Sequence, residues 1–308
     1  MKIVFFGTSN VALPVLEALG QHHEIAAVVT LPDSRSGRSF ESTETPVSVL
    51  AGEMELKVLK PESVKANDLL RLELLDLRAD IFVVVAYGKI LPKDIISLPK
   101  FGTVNIHFSV LPKYRGASPI QAALLNGDSQ TGTTIFFLDE KMDHGPILAQ
   151  DSVVIDADDN FITLGDKLSR LSAKLLLNTL PSLAAGKIKP VEQDDLKASS
   201  TEIITREHGK IDWAKPAQEI YNQFRAFYPW PGIWTTLNGQ NLKITSCFPV
   251  QFNMNEIAQP GTILDKGIVA CGSGSALRVD MLQLAGGKEI STTEFLNGHK
   301  DFVGSKLG

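Results

Sequence analysis

Along the first half of the chain, short runs that are apolar at nearly every position alternate with longer segments whose apolar residues recur every three or four positions. The runs cover residues 2–6, 25–30, 56–59, 81–86, 104–108 and 133–138, and the periodic segments cover 11–19, 64–77 and 119–126. A strand that is apolar on both faces needs cover on both. The alternation therefore predicts an open, mostly parallel, Rossmann-like α/β sheet with helices on either side. Sheets of this kind bind ligands beyond the carboxyl ends of their strands, where the strand order reverses.

The pattern then changes. A helix is expected over 165–180, ended by Pro181, whose ring carries no N–H. Residues 185–206 are rich in Lys, Asp, Gln and Ser without a long apolar run and read as a linker. Beyond them lie a helical segment, 216–226, and short strand candidates at 233–237, 242–247, 261–264, 267–271 and 276–284. Many short strands punctuated by Gly and Pro predict a small, OB-like β-barrel. The expected division is an α/β domain over 1–188, a linker over 189–208 and a C-terminal barrel over 209–308.

With 308 residues the chain is long enough for two cores. No stretch approaches the roughly 18 apolar residues of a membrane-spanning helix, the densest being residues 81–87. The first strand candidate begins at Lys2 without the charged and apolar stretch of a secretion signal, and Cys247 and Cys271 are too few for a disulfide framework. A cytoplasmic, monomeric protein with no membrane partner is the expectation. The formal charge of −5 is unevenly placed: residues 1–204 hold 20 Lys+Arg against 26 Asp+Glu, and residues 205–308 hold 10 against 9. Neither part is a basic stripe, so any RNA contact must be local.

Candidate chemistry concentrates in the middle of the chain. The early turn Gly7-Thr8-Ser9-Asn10 lacks GxGxxG spacing, which disfavours a nicotinamide enzyme. Its amides could receive an anion, or Ser9 and Asn10 could simply cap a helix. In residues 102–112, GTVNIHFSVLP, Asn105 and His107 stand two apart on a strand and share one face, opposite Val104, Ile106 and Phe108. Two polar side chains on an otherwise apolar strand are costly to bury without partners, which points to a pocket. Arg115 presents a rigid fork of donors that could bind an anionic substrate group or, the reading favoured here, order its own loop. Asp143 stands at a glycine-containing turn from which a carboxylate can reach a neighbouring strand end.

No Ser or Cys nucleophile accompanies this His and Asp, and His144 belongs to no metal-spaced group. Triad hydrolysis and metal chemistry are thus disfavoured. What remains is direct transfer between an amine and an activated carbonyl. The Asn amide and a His N–H would face the oxyanion, with the Asp carboxylate orienting the histidine and helping to take the ammonium proton.

Residues 105–148, NIHFSVLPKYRGASPIQAALLNGDSQTGTTIFFLDEKMDHGPIL, resemble the signature of the formyltransferases that use 10-formyltetrahydrofolate. The segments VFFGTSNVALPVLEAL, IDW, RAFYPWPGIWTT, PGTIL and EFLNGH extend the similarity nearly end to end toward the branch that acts on methionyl-tRNA. Sugar-nucleotide formyltransferases, purine-pathway formyltransferases and formylfolate hydrolases share the central signature, and the second domain sets this chain apart from the purine enzymes.

The resemblance implies that Asn105, His107 and Asp143 are the catalytic trio, and that no metal takes part. It implies that 10-formyltetrahydrofolate is the donor, in a pocket of Tyr87, Gly88, Ile90, Leu91, Ser109, Leu111 and Pro112, and that initiator methionyl-tRNA is the acceptor. It also implies a basic loop within residues 31–45 that wedges against the acceptor stem. Here Ser39-Phe40-Glu41 stand where such loops carry lysines, leaving Arg38 as the main RNA contact, with Lys210 a second. Lys187, Lys189, Arg206, Lys215 and Lys243 could add a modest basic track. Tyr228, Trp230 and Trp234 read more readily as packing anchors than as a stacking surface.

Overall fold

The computed structural model describes residues 1–35, 42–251 and 258–308. By its contacts the chain forms two compact units. One comprises Met1–Pro119, Gln130–Val154 and Gly165–Thr201, the other Ile120–Ser129, Ile155–Leu164 and Glu202–Gly308.

The first unit is built on a seven-stranded sheet. Its strands are β1 (Lys2–Gly7), β2 (Glu24–Val29), β3 (Val58–Leu59), β4 (Ile81–Val85), β5 (Thr103–His107), β6 (Gln130–Phe137) and β7 (Ile147–Val154). They lie in the order β7-β6-β5-β4-β1-β2-β3. The strands from β1 to β5 pair in parallel, and β6 and β7 are antiparallel additions at one edge. All five residues of β4 and the last five of β1 are buried, as their unbroken apolar sequence requires. The strand order reverses between β1 and β4, so the ends of these two strands and of the adjacent β5 frame the expected ligand crevice.

The helices of the chain's first half are α1 (Leu13–His22), α2 (Pro46–Glu53), α3 (Asp68–Asp76), α4 (Lys93–Ile96) and α5 (Pro119–Leu125). α3 starts later than the periodicity of 64–77 suggests. Ala66 adopts φ 52°, which no helix accommodates, and the Asn67 side chain then caps the helix by accepting from Leu70 N at 3.0 Å. β7 escapes the apolar-run criterion altogether, because it is an edge strand and three consecutive residues, Gln150 to Ser152, are exposed.

The long helix α6 (Phe161–Ala184) runs straight through Pro181. A proline removes one intrahelical bond but does not by itself end a helix whose following turn is otherwise secured. Here Gly186 N donates to Leu183 O at 3.0 Å and Lys187 N to Ser182 O at 2.9 Å, with Gly186 at φ 65°. That pair of bonds around a left-handed glycine is a Schellman stop, so Gly186 sets the end and not Pro181.

The segment read as a linker divides. Residues through Thr201 belong to the first unit and those from Glu202 to the second. Val191 exchanges backbone bonds with Ile147 at 2.8 and 2.9 Å, and Ser200–Thr201 pairs in parallel with Arg115–Gly116. Its polar composition reflects docking through hydrogen bonds, not freedom in solvent.

The second unit carries α7 (Ala217–Phe227) and an antiparallel sheet of β8 (Ile233–Leu237), β9 (Gln240–Val250), β10 (Ile263–Asp265), β11 (Ile268–Ala270) and β12 (Ala276–Leu284). The order is β8-β9-β12-β11-β10, with Ile290–Ser291 also paired to β12, followed by α8 (Thr292–Gly298). β8 alternates buried and half-buried residues, which gives the sheet one inner and one outer face. Cys247 and Cys271 are buried and unbridged. Among the described residues, no helix is long and apolar enough to cross a membrane.

Candidate active site

β5 delivers the two polar side chains. It pairs with β4 on one side, Val84 opposite Asn105, and with β6 on the other, Phe136 opposite Asn105 and Thr134 opposite His107. Val104 and Ile106 are fully or almost fully buried on one face, and Asn105 is half-buried on the other. Among the described residues the Asn105 side chain has no hydrogen-bonding partner, so its amide donors are uncommitted.

His107 is 5 % exposed. Its Nε2 lies 2.8 Å from the carbonyl of Tyr114. A carbonyl only accepts, so Nε2 carries a hydrogen and Nδ1 of the neutral ring is left with its lone pair. That Nδ1 faces Oδ2 of Asp143 at 3.5 Å. Burial pushes the imidazole below its ordinary value, against the opposing pull of the Asp143 carboxylate and the Tyr114 bond, so a neutral ring is favoured. Nε2 is thus committed to the Tyr114 carbonyl, which leaves Nδ1, on the Asp143 side, as the nitrogen that can take up a proton.

Asp143 sits at φ 50°, and its Oδ2 accepts from Gly116 N at 2.7 Å. Two residues on, Gly145 has no room for a side chain: an added Cβ would lie 1.8 Å from Phe137 O. This close approach brings the turn against the end of β6. Arg115 does not reach toward the Asn105 and His107 side chains. Its Nε and Nη2 donate to Gln193 Oε1 at 3.0 and 2.9 Å, and Nη2 also pairs with Asp195 at 2.9 Å. It orders its loop. Gln193 and Asp195 carry no sequence signal of this role, since both lie in the polar stretch read as linker.

The loop after β5 is fixed from β6 and β7. Thr134 Oγ1 donates to Ser109 O at 2.7 Å and accepts from Leu111 N at 3.0 Å, while Gln150 Nε2 donates to Leu111 O at 2.8 Å. Ser109 and Leu111 are buried, and Leu111–Pro112 is a cis peptide. Across the switch point, Thr8 Oγ1 donates to Tyr87 O at 2.8 Å, joining the turns that follow β1 and β4. Tyr87 and Leu91 belong to the core with Phe6 and Phe82, whereas Gly88 is exposed and Ile90 is 73 % exposed. The Tyr87 hydroxyl is buried without a partner, and burial pushes it up to about 12. Of the seven residues expected at the donor pocket, Tyr87, Leu91, Ser109 and Leu111 are buried, Pro112 is half-buried, and Gly88 and Ile90 are exposed. The described residues contain no group of three or more His, Cys, Asp or Glu side chains placed to hold a metal.

Arg38 lies outside the described residues. At the two ends of its loop, Asp33 and Glu44 both pair with Lys60, at 2.6 and 3.0 Å. In the second unit, Trp234 of β8, Lys243 of β9 and Gln283 of β12 lie opposite one another in register, making a row across the outer face of three strands. With Arg206 and Asn241 they line a cavity of about 220 Å³. Trp234 Nε1 donates to Arg206 O at 3.2 Å, and Lys210 Nζ stands 6.0 Å from the indole ring. Arg206, Lys210 and Lys243 have no carboxylate partner among the described residues. Trp234 is half-buried, while Tyr228 and Trp230 are 44 % and 61 % exposed, so the aromatic segment is not a packed core.

Comparison with known proteins sets this geometry in a family. Residues 1–180 match the model described as "Formyl transferase" and residues 203–300 that described as "Formyl transferase, C-terminal domain". The chain is 44 % identical to the methionyl-tRNA formyltransferase of Caldanaerobacter subterraneus, over 97 % of each chain. It is 42 % identical to that of Bacillus velezensis, over 100 % of this chain and 98 % of the other. Its fold is like that of an N-formyltransferase from Helicobacter canadensis solved with folinic acid and dTDP-3-aminofucose, with a TM-score of 0.68, 20 % identity, and coverage of 92 % of this chain and 100 % of that one. Because the likeness at sequence level runs through both units and spans the relatives' whole length, the chain belongs to the methionyl-tRNA formyltransferase family.

Proposed function

We propose that this enzyme transfers the formyl group of 10-formyltetrahydrofolate to the α-amino group of initiator methionyl-tRNA, releasing tetrahydrofolate and N-formylmethionyl-tRNA. The observation that carries the reaction is an uncommitted Asn105 amide two residues from a buried His107 whose free nitrogen faces Asp143 at 3.5 Å.

Asn105 donates to the formyl oxygen as negative charge develops on it, where a fixed donor has the greatest effect. The amine nitrogen must lose a proton to attack. In the neutral ring Nδ1 of His107 accepts it, and Asp143 stabilises the imidazolium that results. The separation of 3.5 Å is too long for a formed hydrogen bond and short enough for an arriving proton to draw the two groups together. The new C–N bond forms, the bond from the formyl carbon to N10 of the folate breaks, and N10 takes up the second proton that the attacking nitrogen gives up as it becomes an amide.

Tyr87, Gly88, Ile90, Leu91, Ser109, Leu111 and Pro112 would line the folate site. Tyr87 and Leu91 would give it an apolar floor, and the backbone around Ser109 and Leu111 is already fixed by Thr134 and Gln150. The second unit, which we read as a small barrel of the OB kind, would hold the RNA. The three cations gathered around Trp234 suit phosphate, and the half-buried indole suits an unpaired base. Lys210 contributes there, and Arg38 at the acceptor end. We place the enzyme in the cytoplasm, acting as a monomer.

The test is formyl transfer from 10-formyltetrahydrofolate to charged initiator tRNA. N-formylmethionyl-tRNA is the expected product. Consumption of formylfolate only with a sugar amine or water would overturn the acceptor while leaving the donor chemistry standing.

A further inference from the structure

We infer that Gln193 is a positioning residue for formyl transfer: its side-chain amide holds the turn that carries Asp143, and Arg115 fixes which way that amide points. The inference rests on the role proposed above for Asp143.

An arginine only donates, so the two N–H groups of Arg115 at 3.0 and 2.9 Å identify the atom they meet as the amide oxygen of Gln193. The amide nitrogen must then point the other way. It does so onto two main-chain carbonyls, Asp143 O and Gly145 O, each at 2.9 Å. Gln193 therefore satisfies both ends of the turn at once, with neither of its groups left over. Its own backbone is fixed two residues earlier, where Val191 and Ile147 exchange bonds at 2.9 and 2.8 Å. Asp195 engages Arg115 Nη2 at 2.9 Å and keeps the guanidinium from turning away.

Asp143 is consequently gripped at two places. Its carboxylate accepts from Gly116 N at 2.7 Å, and its carbonyl accepts from Gln193. The residue sits at φ 50°, in the left-handed region that Asp enters more readily than most side-chain-bearing residues, so the bonds at its two ends decide where its carboxylate points. Releasing the carbonyl would let the turn relax and carry the carboxylate away from His107. The charged group that faces the imidazole is Asp143; Asp195 lies against both Arg115 and His144, and His144 against Asp139.

Two variants separate positioning from mere satisfaction of Arg115. Gln193→Glu keeps an acceptor for the guanidinium but has no N–H for the turn, and Gln193→Ala has neither. Positioning predicts that both lower kcat, by roughly 100-fold for a misplacement of about 1 Å, with KM for formylfolate little changed. It also predicts that the imidazole of His107, followed by NMR without substrate and assigned by its loss in His107→Asn, titrates at lower pH in Gln193→Ala, because Asp143 is the charge that raises it. Recovery of wild-type kcat in Gln193→Glu, or an unmoved His107 titration in Gln193→Ala, would overturn the inference. If the wild-type enzyme does not formylate methionyl-tRNA, the proposed function fails, and the substrate-free titration still decides whether Gln193 positions Asp143.

Discussion

Nδ1 of His107 faces Oδ2 of Asp143 at 3.5 Å while Nε2 of the same ring is committed to the Tyr114 carbonyl at 2.8 Å. The ring is held below its ordinary value of 6.5, first by burial, with Asp143 and the Tyr114 bond pulling the other way. The unfolded chain takes up this proton near 6.5 and the folded ring resists it, so the stabilisation is whole above 6.5 and is lost as the pH falls through the folded value. Thermal unfolding followed between neutral pH and mildly acidic pH will show a decline in Tm that His107→Gln flattens. The same neutral ring is the base, so the acid limb of the kcat/KM profile lies below 6.5, and Asp143→Asn moves it lower still.

Asn105 offers a test of a different kind. Its side chain has no partner among the described residues, so removing it leaves no buried group unsatisfied. Asn105→Ala will lower kcat by roughly 100- to 1,000-fold through the missing oxyanion donor, and Tm will stay close to wild type. A marked fall in Tm would mean that the amide serves the fold.

Gly145 tests how closely the Asp143 turn must approach β6. A Cβ there would meet Phe137 O at 1.8 Å, and a backbone oxygen cannot move aside as a flexible side chain can. Gly145→Ala will cost about 1–3 kcal/mol, the usual range for forced overpacking, and will lower kcat because the turn itself carries Asp143. Denaturant unfolding and steady-state kinetics on the same preparation check both halves.

Lys243 reports on the second unit. Lys243→Glu replaces a cation beside Trp234 with a charge that repels phosphate. Binding of methionyl-tRNA will weaken, and the slope of log K against log salt will become shallower by about one for each phosphate that is no longer neutralised. Formylfolate affinity will not change. An unaltered salt slope would remove this face from the tRNA interface.

Much of the first unit was legible because its physical causes are local. Within the runs 2–6 and 81–86, residues 3–6 and 81–85 are apolar at successive positions, and only a strand covered on both faces buries such a stretch; β1 and β4 do so. The two-residue period of a strand likewise placed Asn105 and His107 on one face before any contact was known. β7 was not legible, since an exposed edge strand carries no apolar run. Nor was the end of α6, which depends on bonds from Gly186 and Lys187 that Pro181 does not forbid. The basic residues spread along the chain could not be sorted by face either. Arg206, Lys210 and Lys243 meet around Trp234 because β8 and β9 pair in one particular register, whereas Lys187 and Lys189 belong to the other unit.

The sequence by itself determined the buried strands of the first unit, the chemistry-bearing residue types and the family, because periodicity and motif spacing are properties of the chain alone. Only the tertiary structure decided what those residues do to one another. His107, Asp143, Arg115 and Gln193 come from four separate segments, and hydrogen bonding depends on separations of a few tenths of an ångström that no sequence spacing encodes. That is why a segment with the composition of a linker proved to hold the turn on which Asp143 stands.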